Sequence, residues 1–130
     1  AIILLPLIDI AALGQIITAL GFGEGVVMVI GFLWIFLMAF VGIGPIVTVS
    51  LLMGVLPNLP GFDFVPVHLA LMALTSWTLS VGISPLSAAV RITGRAIGEE
   101  PATLGLCWNR VYIVTASALV IAVLLLSDLV

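Results

Sequence analysis

Four serines, Ser76, Ser80, Ser84 and Ser87, recur at helical spacing in an apolar stretch, with Thr75 and Thr78 beside them. No ionisable side chain lies between Leu69 and Val90. In the middle stands Gly82-Ile83-Ser84-Pro85-Leu86-Ser87. Pro85 has no backbone N–H and its ring clashes with the carbonyl of Val81, so the helical ladder opens there. Freed carbonyl oxygens and serine hydroxyls together replace the hydration shell of a small ion or polar substrate. Discontinuous helices of this kind hold substrates and ions near the midplane of transporters. Gly82, Ser84, Pro85, Ser87 and Ser80 are therefore candidate binding residues. The competing reading is that small hydroxyls bond back to their own helix and let neighbouring helices pack closely. The break also resets the helical register, which interrupts any continuous serine face.

A second interruption is Gly42-Ile43-Gly44-Pro45. Pro45 suits the first turn of a new helix, where a missing N–H costs nothing. The half-helix that follows, residues 45–56, would point the positive end of its dipole toward an anion. Gly44, Pro45 and Thr48 are the candidates here, with Ser50 nearby. A plain helix kink is the alternative.

The remaining reactive groups are few. His68, five residues past Asp63, is either a proton-relay residue or an interfacial histidine in a first helical turn. Asp9 would be an expensive intramembrane carboxylate if segment one places it at depth. Arg91 would either clamp an anionic substrate or snorkel to the interface. Cys107 is expected to be a small apolar residue in or near a helix; a lone cysteine excludes an internal disulfide. No metal-ligand spacing, nucleophile–base set or phosphate loop is present, so catalysis and a cofactor are unsupported.

The elements that position these groups follow from composition. Of 130 residues, 64% are apolar and 7% charged, against about 25% charged in an ordinary soluble domain. The bilayer-embedded class follows. Lysine is absent, and Arg91, Arg95 and Arg110 fall within one short window. No basic face for nucleic acid exists, and the positive-inside rule puts the arginine-bearing loop in the cytoplasm. Long apolar runs exclude barrel strands and predict helices.

In chain order the expectation is an apolar segment over residues 1–20, a glycine turn over 21–25 and a helix over 26–41. The first break and the half-helix 45–56 follow. A loop then spans 57–63, and a helix runs from Pro66 to the second break. The half-helix 86–97, a polar loop over 94–103 and a last span over 106–127 complete the chain. Trp108 and Tyr112 near the start of that span are placed as interfacial aromatics. The predicted fold is all-α: a polytopic transmembrane helical bundle with interrupted helices or a re-entrant hairpin, three or four full spans in all. Ala1 is not a methionine and no basic region precedes the apolar sequence, which does not look like a signal peptide. Residues 1–130 read as one transmembrane domain, the C-terminal part of a longer protein.

Pro66-Val67-His68, Gly82-Ile83-Ser84-Pro85 and Thr93-Gly94 together resemble the C-terminal part of the large membrane subunit of TRAP-type transporters, within the ion-transporter superfamily. The segment Gly42-Ile43-Gly44-Pro45 and the helix after it are similar to the stretch preceding that element. The likeness runs over roughly residues 21–127, with its specific part in the short motifs. Ser84 stands where the family commonly has Thr, and Leu86 where it has a second Pro, which points to a sister family. The resemblance implies one repeat of an inverted-repeat, elevator-type secondary transporter in the bacterial cytoplasmic membrane. Such a permease carries a carboxylate or other anion by symport with Na+ or H+. Its implied partners are the lipid bilayer, a second copy in a homodimer and, in a TRAP system, a small membrane subunit and a periplasmic binding protein. The other class of function weighed is a non-transporting membrane scaffold or accessory subunit.

Overall fold

A computed structural model gives the fold, with residues 9–126 described. Over these residues the chain is all-helical. The helices are α1 (Ile10–Ala19), α2 (Glu24–Val41), α3 (Pro45–Val55), α4 (Pro66–Ile83), α5 (Ala88–Ile97) and α6 (Arg110–Leu126). A short 3-10 turn, Leu56–Asn58, follows α3, and a π turn, Thr103–Trp108, precedes α6. Residues 1–8 and 127–130, the start of the expected first segment and the end of the last, lie outside the described residues.

The helix ends have local causes. Asp9 caps α1, its Oδ1 accepting the Ala12 N–H at 3.0 Å. Asp9 is exposed and serves as the helix cap, a local structural role for this carboxylate. Pro45 and Pro66 open α3 and α4, since each missing N–H falls in a turn with no acceptor to lose. Gly98, with φ +74°, closes α5, and the next residue's N–H returns to the Gly94 carbonyl at 2.9 Å.

Helices α2, α4 and α6 pack on one another, and α3 lies against α2 and α4. Phe32, Met28 and Ile35 of α2, Met72 of α4 and Leu124 of α6 form the fully buried centre. The Phe32 and Phe36 rings lie 5.0 Å apart. Helix α1 joins this core at its edge, where Gly14 meets Pro60. A Cβ on Gly14 would stand 2.6 Å from Pro60 Cδ, so only glycine allows this approach.

The outer faces stay apolar. Leu33, Trp34 and Leu37 of α2 and Leu74 and Trp77 of α4 are all exposed. Among the described residues two segments are long and apolar enough to cross a membrane, Glu24–Val41 and Pro66–Ile97, the latter being α4 and α5 taken together. This is fewer than the three or four full spans expected. Helix α6 has 17 residues because residues 106–108, expected inside the last span, belong to the π turn. The expected polar loop over 94–103 is also shorter. Helix α5 continues through Ile97, and helical backbone resumes at Pro101.

Candidate functional site

The two interruptions, some forty residues apart in sequence, meet in space. Where α2 ends, Gly42 adopts φ +93°, a left-handed conformation that costs glycine little. Its N–H donates to the Ala39 carbonyl at 3.3 Å, and the Ile43 N–H donates to Met38 at 2.9 Å. These paired bonds satisfy the orphan carbonyls of a helix C-terminus from the backbone alone. Gly44, extended at φ −59°, then leads into Pro45 and α3.

The second break is closed differently. The Val81 carbonyl would accept a hydrogen bond from the N–H of residue 85, but Pro85 has no N–H to donate. The Ser87 hydroxyl donates to it instead, at 2.7 Å. The Gly82 carbonyl loses Leu86, whose N–H turns to Ser84 Oγ at 3.3 Å. Asn109 Nδ2 takes its place, donating to Gly82 at 2.9 Å. The Ser87 N–H donates to the Ser84 carbonyl at 3.0 Å, so the Ile83 carbonyl is also released from the ladder. It points at Gly105 in the π turn, so closely that a Cβ on Gly105 would run into its oxygen. Ser87 also caps α5, accepting the Val90 N–H at 3.2 Å.

Ser84 joins the two breaks. Its hydroxyl, 2% exposed, donates to the Ala39 carbonyl of α2 at 2.8 Å. Between the breaks lies a cavity of about 60 Å³, lined among others by Ala39, Gly44, Pro45, Ser80, Ser84 and Ser87. At roughly 10–15 Å³ of cavity space per water, it has room for a small ion with a few waters or for one polar group of a substrate.

Five of the eight predicted site residues thus face one cavity: Gly44, Pro45, Ser80, Ser84 and Ser87. Three do not. Gly82 lies against Ile113 of α6. Pro85 is half-buried and opens the ladder without lining the space. Thr48 is buried but returns its hydroxyl to the Pro45 carbonyl at 3.2 Å; Ser50 is exposed.

The serine face divides at the break. Ser76 and Ser80 are fully buried and bond back, Ser76 to Met72 at 2.6 Å and Ser80 to Trp77 at 2.9 Å. Thr75 and Thr78 do the same, to Leu71 and Leu74. Up to Ser80 the hydroxyls therefore follow the packing reading. From Ser84 onward they serve the break.

His68 is half-buried in the first turn of α4 and has no hydrogen bond or ion pair to Asp63. The Asp63 N–H instead donates to Glu24 Oε1 at 2.8 Å, tying the loop to the start of α2. Arg91 is exposed on α5, away from the cavity. Cys107, expected as a small apolar residue in or near a helix, is exposed on the π turn that leads into α6.

Sequence reasoning missed Ala39, Gly105 and Asn109. Ala39 and Gly105 carry no polar side chain to mark them. Asn109 was visible as the lone amide in an apolar run, Leu-Cys-Trp-Asn over residues 106–109, where an unpaired side chain would be costly. No known family model, curated protein or solved structure matches this chain.

Proposed function

We propose that this chain is one repeat of a polytopic secondary transporter in a bacterial cytoplasmic membrane, moving a carboxylate or other anion by coupling to Na+ or H+. The observation that supports this is the meeting of the two breaks, which gathers the N-terminus of α3, Val81 and the residues Ser80, Ser84 and Ser87 around one small cavity. Irregular backbone at membrane depth is tolerated where it is buried in protein or lines a cavity, and here both breaks line one. The outward faces of α2 and α4, apolar yet exposed, support the bilayer setting, because a soluble core helix would be covered. On this reading the α3 N-terminus supplies the positive dipole end for the anion and the second break supplies oxygens for the coupling cation. At about 60 Å³ the cavity has room for the cation or for one group of the substrate. The rest of the site comes from a second repeat, as the TRAP-like motifs imply, with a partner subunit and binding protein in the TRAP arrangement.

A second reading, a non-transporting scaffold, is favoured by one specific observation. The Ser84 and Ser87 hydroxyls already donate to Ala39 and Val81, so the break completes itself without a ligand. Gradient-driven uptake separates the two. The full-length protein in proteoliposomes is offered labelled mono- and dicarboxylates under an imposed Na+ or H+ gradient. Transport predicts gradient-dependent uptake that falls about tenfold or more in Ser84→Ala and Pro85→Ala, the scale of losing a positioned binding group. Unchanged uptake in both variants removes the site assignment. An absence of gradient-dependent uptake in the wild type leaves the scaffold.

A further inference from the structure

We propose that the outer face of α5 binds the phosphate of an anionic phospholipid through Arg91 and Arg95. The inference rests on the bilayer setting proposed above and is independent of transport. Val90 and Gly94 turn into the protein. On the opposite side Ala88, Arg91, Ile92 and Arg95 form one stripe at i, i+3, i+4 and i+7, bordering an open concavity of about 270 Å³. The two arginines stand one turn apart, where side chains reach a common partner. Neither guanidinium makes a hydrogen bond or ion pair among the described residues, although Glu99 and Glu100 follow within a few positions. Both planar forks therefore keep their donors for a ligand, and their geometry matches phosphate oxygens bidentately.

The surroundings select a lipid over a soluble anion. Ile92, 67% exposed, lies between the arginines on the stripe. A soluble phosphate gains nothing from this side chain, whereas a phospholipid covers it with its acyl chains while its headgroup meets the arginines. Trp108 and Tyr112, also exposed, are the residue types that settle at headgroup level. Charge agrees: lysine is absent, and all three arginines of the chain lie between positions 91 and 110. Neither Arg91 nor Arg95 lines the cavity between the breaks, so the lipid face is separate from the proposed transport site.

The test uses the full-length protein reconstituted into vesicles of equal phosphatidylglycerol and phosphatidylcholine. Flotation first establishes insertion. Native mass spectrometry after transfer to mild detergent then counts the lipids retained. The wild type is expected to retain phosphatidylglycerol over phosphatidylcholine by about 20-fold, each arginine contributing about fivefold. R91Q/R95Q brings the ratio close to one, each single Gln variant removes about fivefold, and R91K/R95K keeps part of it by charge alone. Far-UV circular dichroism identifies any variant that has lost its helices, in which case the single variants decide. Equal retention of the two lipids by inserted wild-type protein overturns the lipid inference and leaves the membrane reading standing. An unchanged ratio in R91Q/R95Q also overturns it. Release of phosphatidylglycerol by millimolar inorganic phosphate reassigns the face to a soluble anion. Failure to float overturns the membrane reading and this inference with it.

Discussion

The two breaks solve the same problem by opposite means. At Gly42 the chain ends a helix with its own backbone: a left-handed glycine turns two N–H groups onto the carbonyls of Met38 and Ala39. At Pro85 the backbone has lost its donor, and side chains replace it. Ser87 reaches back to Val81, and Asn109 reaches across from the start of α6 to Gly82. The first junction is autonomous. The second is only as stable as the neighbours that complete it, and a junction that depends on neighbours can respond to them. Ser84 couples the two, because Ala39 accepts both its hydroxyl and the Gly42 N–H.

This contrast is open to direct attack. The largest effect is expected at Gly105, the π-turn residue pressed against the Ile83 carbonyl. Gly105→Val drives the new side chain into the Ile83 carbonyl and pulls Asn109 away from Gly82, for a loss of about 3 kcal/mol. Denaturant unfolding in micelles, followed by circular dichroism, measures it. A variant as stable as wild type would show that the second break does not depend on its neighbours.

Ser87→Ala comes next. It leaves the Val81 carbonyl without its donor and removes the cap of α5, for about 2 kcal/mol together. The loss is expected as faster amide exchange at Val90 and along α5, with α2 and α3 unaffected. Ser87→Thr, which keeps the hydroxyl, is expected to restore most of the protection; if it exchanges as fast as the alanine variant, the hydroxyl is not what closes the break.

The first junction yields the smallest effects. Gly42→Ala places a side chain at φ +93°, for about 1–2 kcal/mol. Gly44→Ala, with φ −59° and no atom within 4 Å of the added carbon, changes stability by no more than about 0.5 kcal/mol. Stability measured on this pair checks that the junction rests on one backbone conformation. A Gly44 variant as damaging as the Gly42 variant would remove that distinction.

The sequence by itself determined where the backbone must depart from helix. Pro45, Pro66 and Pro85 lack a donor, and Gly42 permits a left-handed turn, so both breaks and the starts of α3 and α4 were legible from residue chemistry alone. For the hydroxyls of Ser76 and Thr75 the sequence left two readings open, a binding stripe or back-bonding, and the structure gives back-bonding to carbonyls four residues away on the same helix. Only the tertiary structure decided who completes the second break. Ala39 and Ser84 are 45 residues apart, and Asn109 and Gly82 are 27 apart; no local spacing links either pair. It also decided that Gly105 is required, since its missing carbon matters only because the Ile83 carbonyl of a distant helix occupies that place. The π turn that presents Gly105 and Asn109 widens the helix by one residue, which periodicity does not announce. Local covalent limits are written residue by residue, whereas the satisfaction of a freed carbonyl is settled by whatever the packing of distant helices brings within three ångströms.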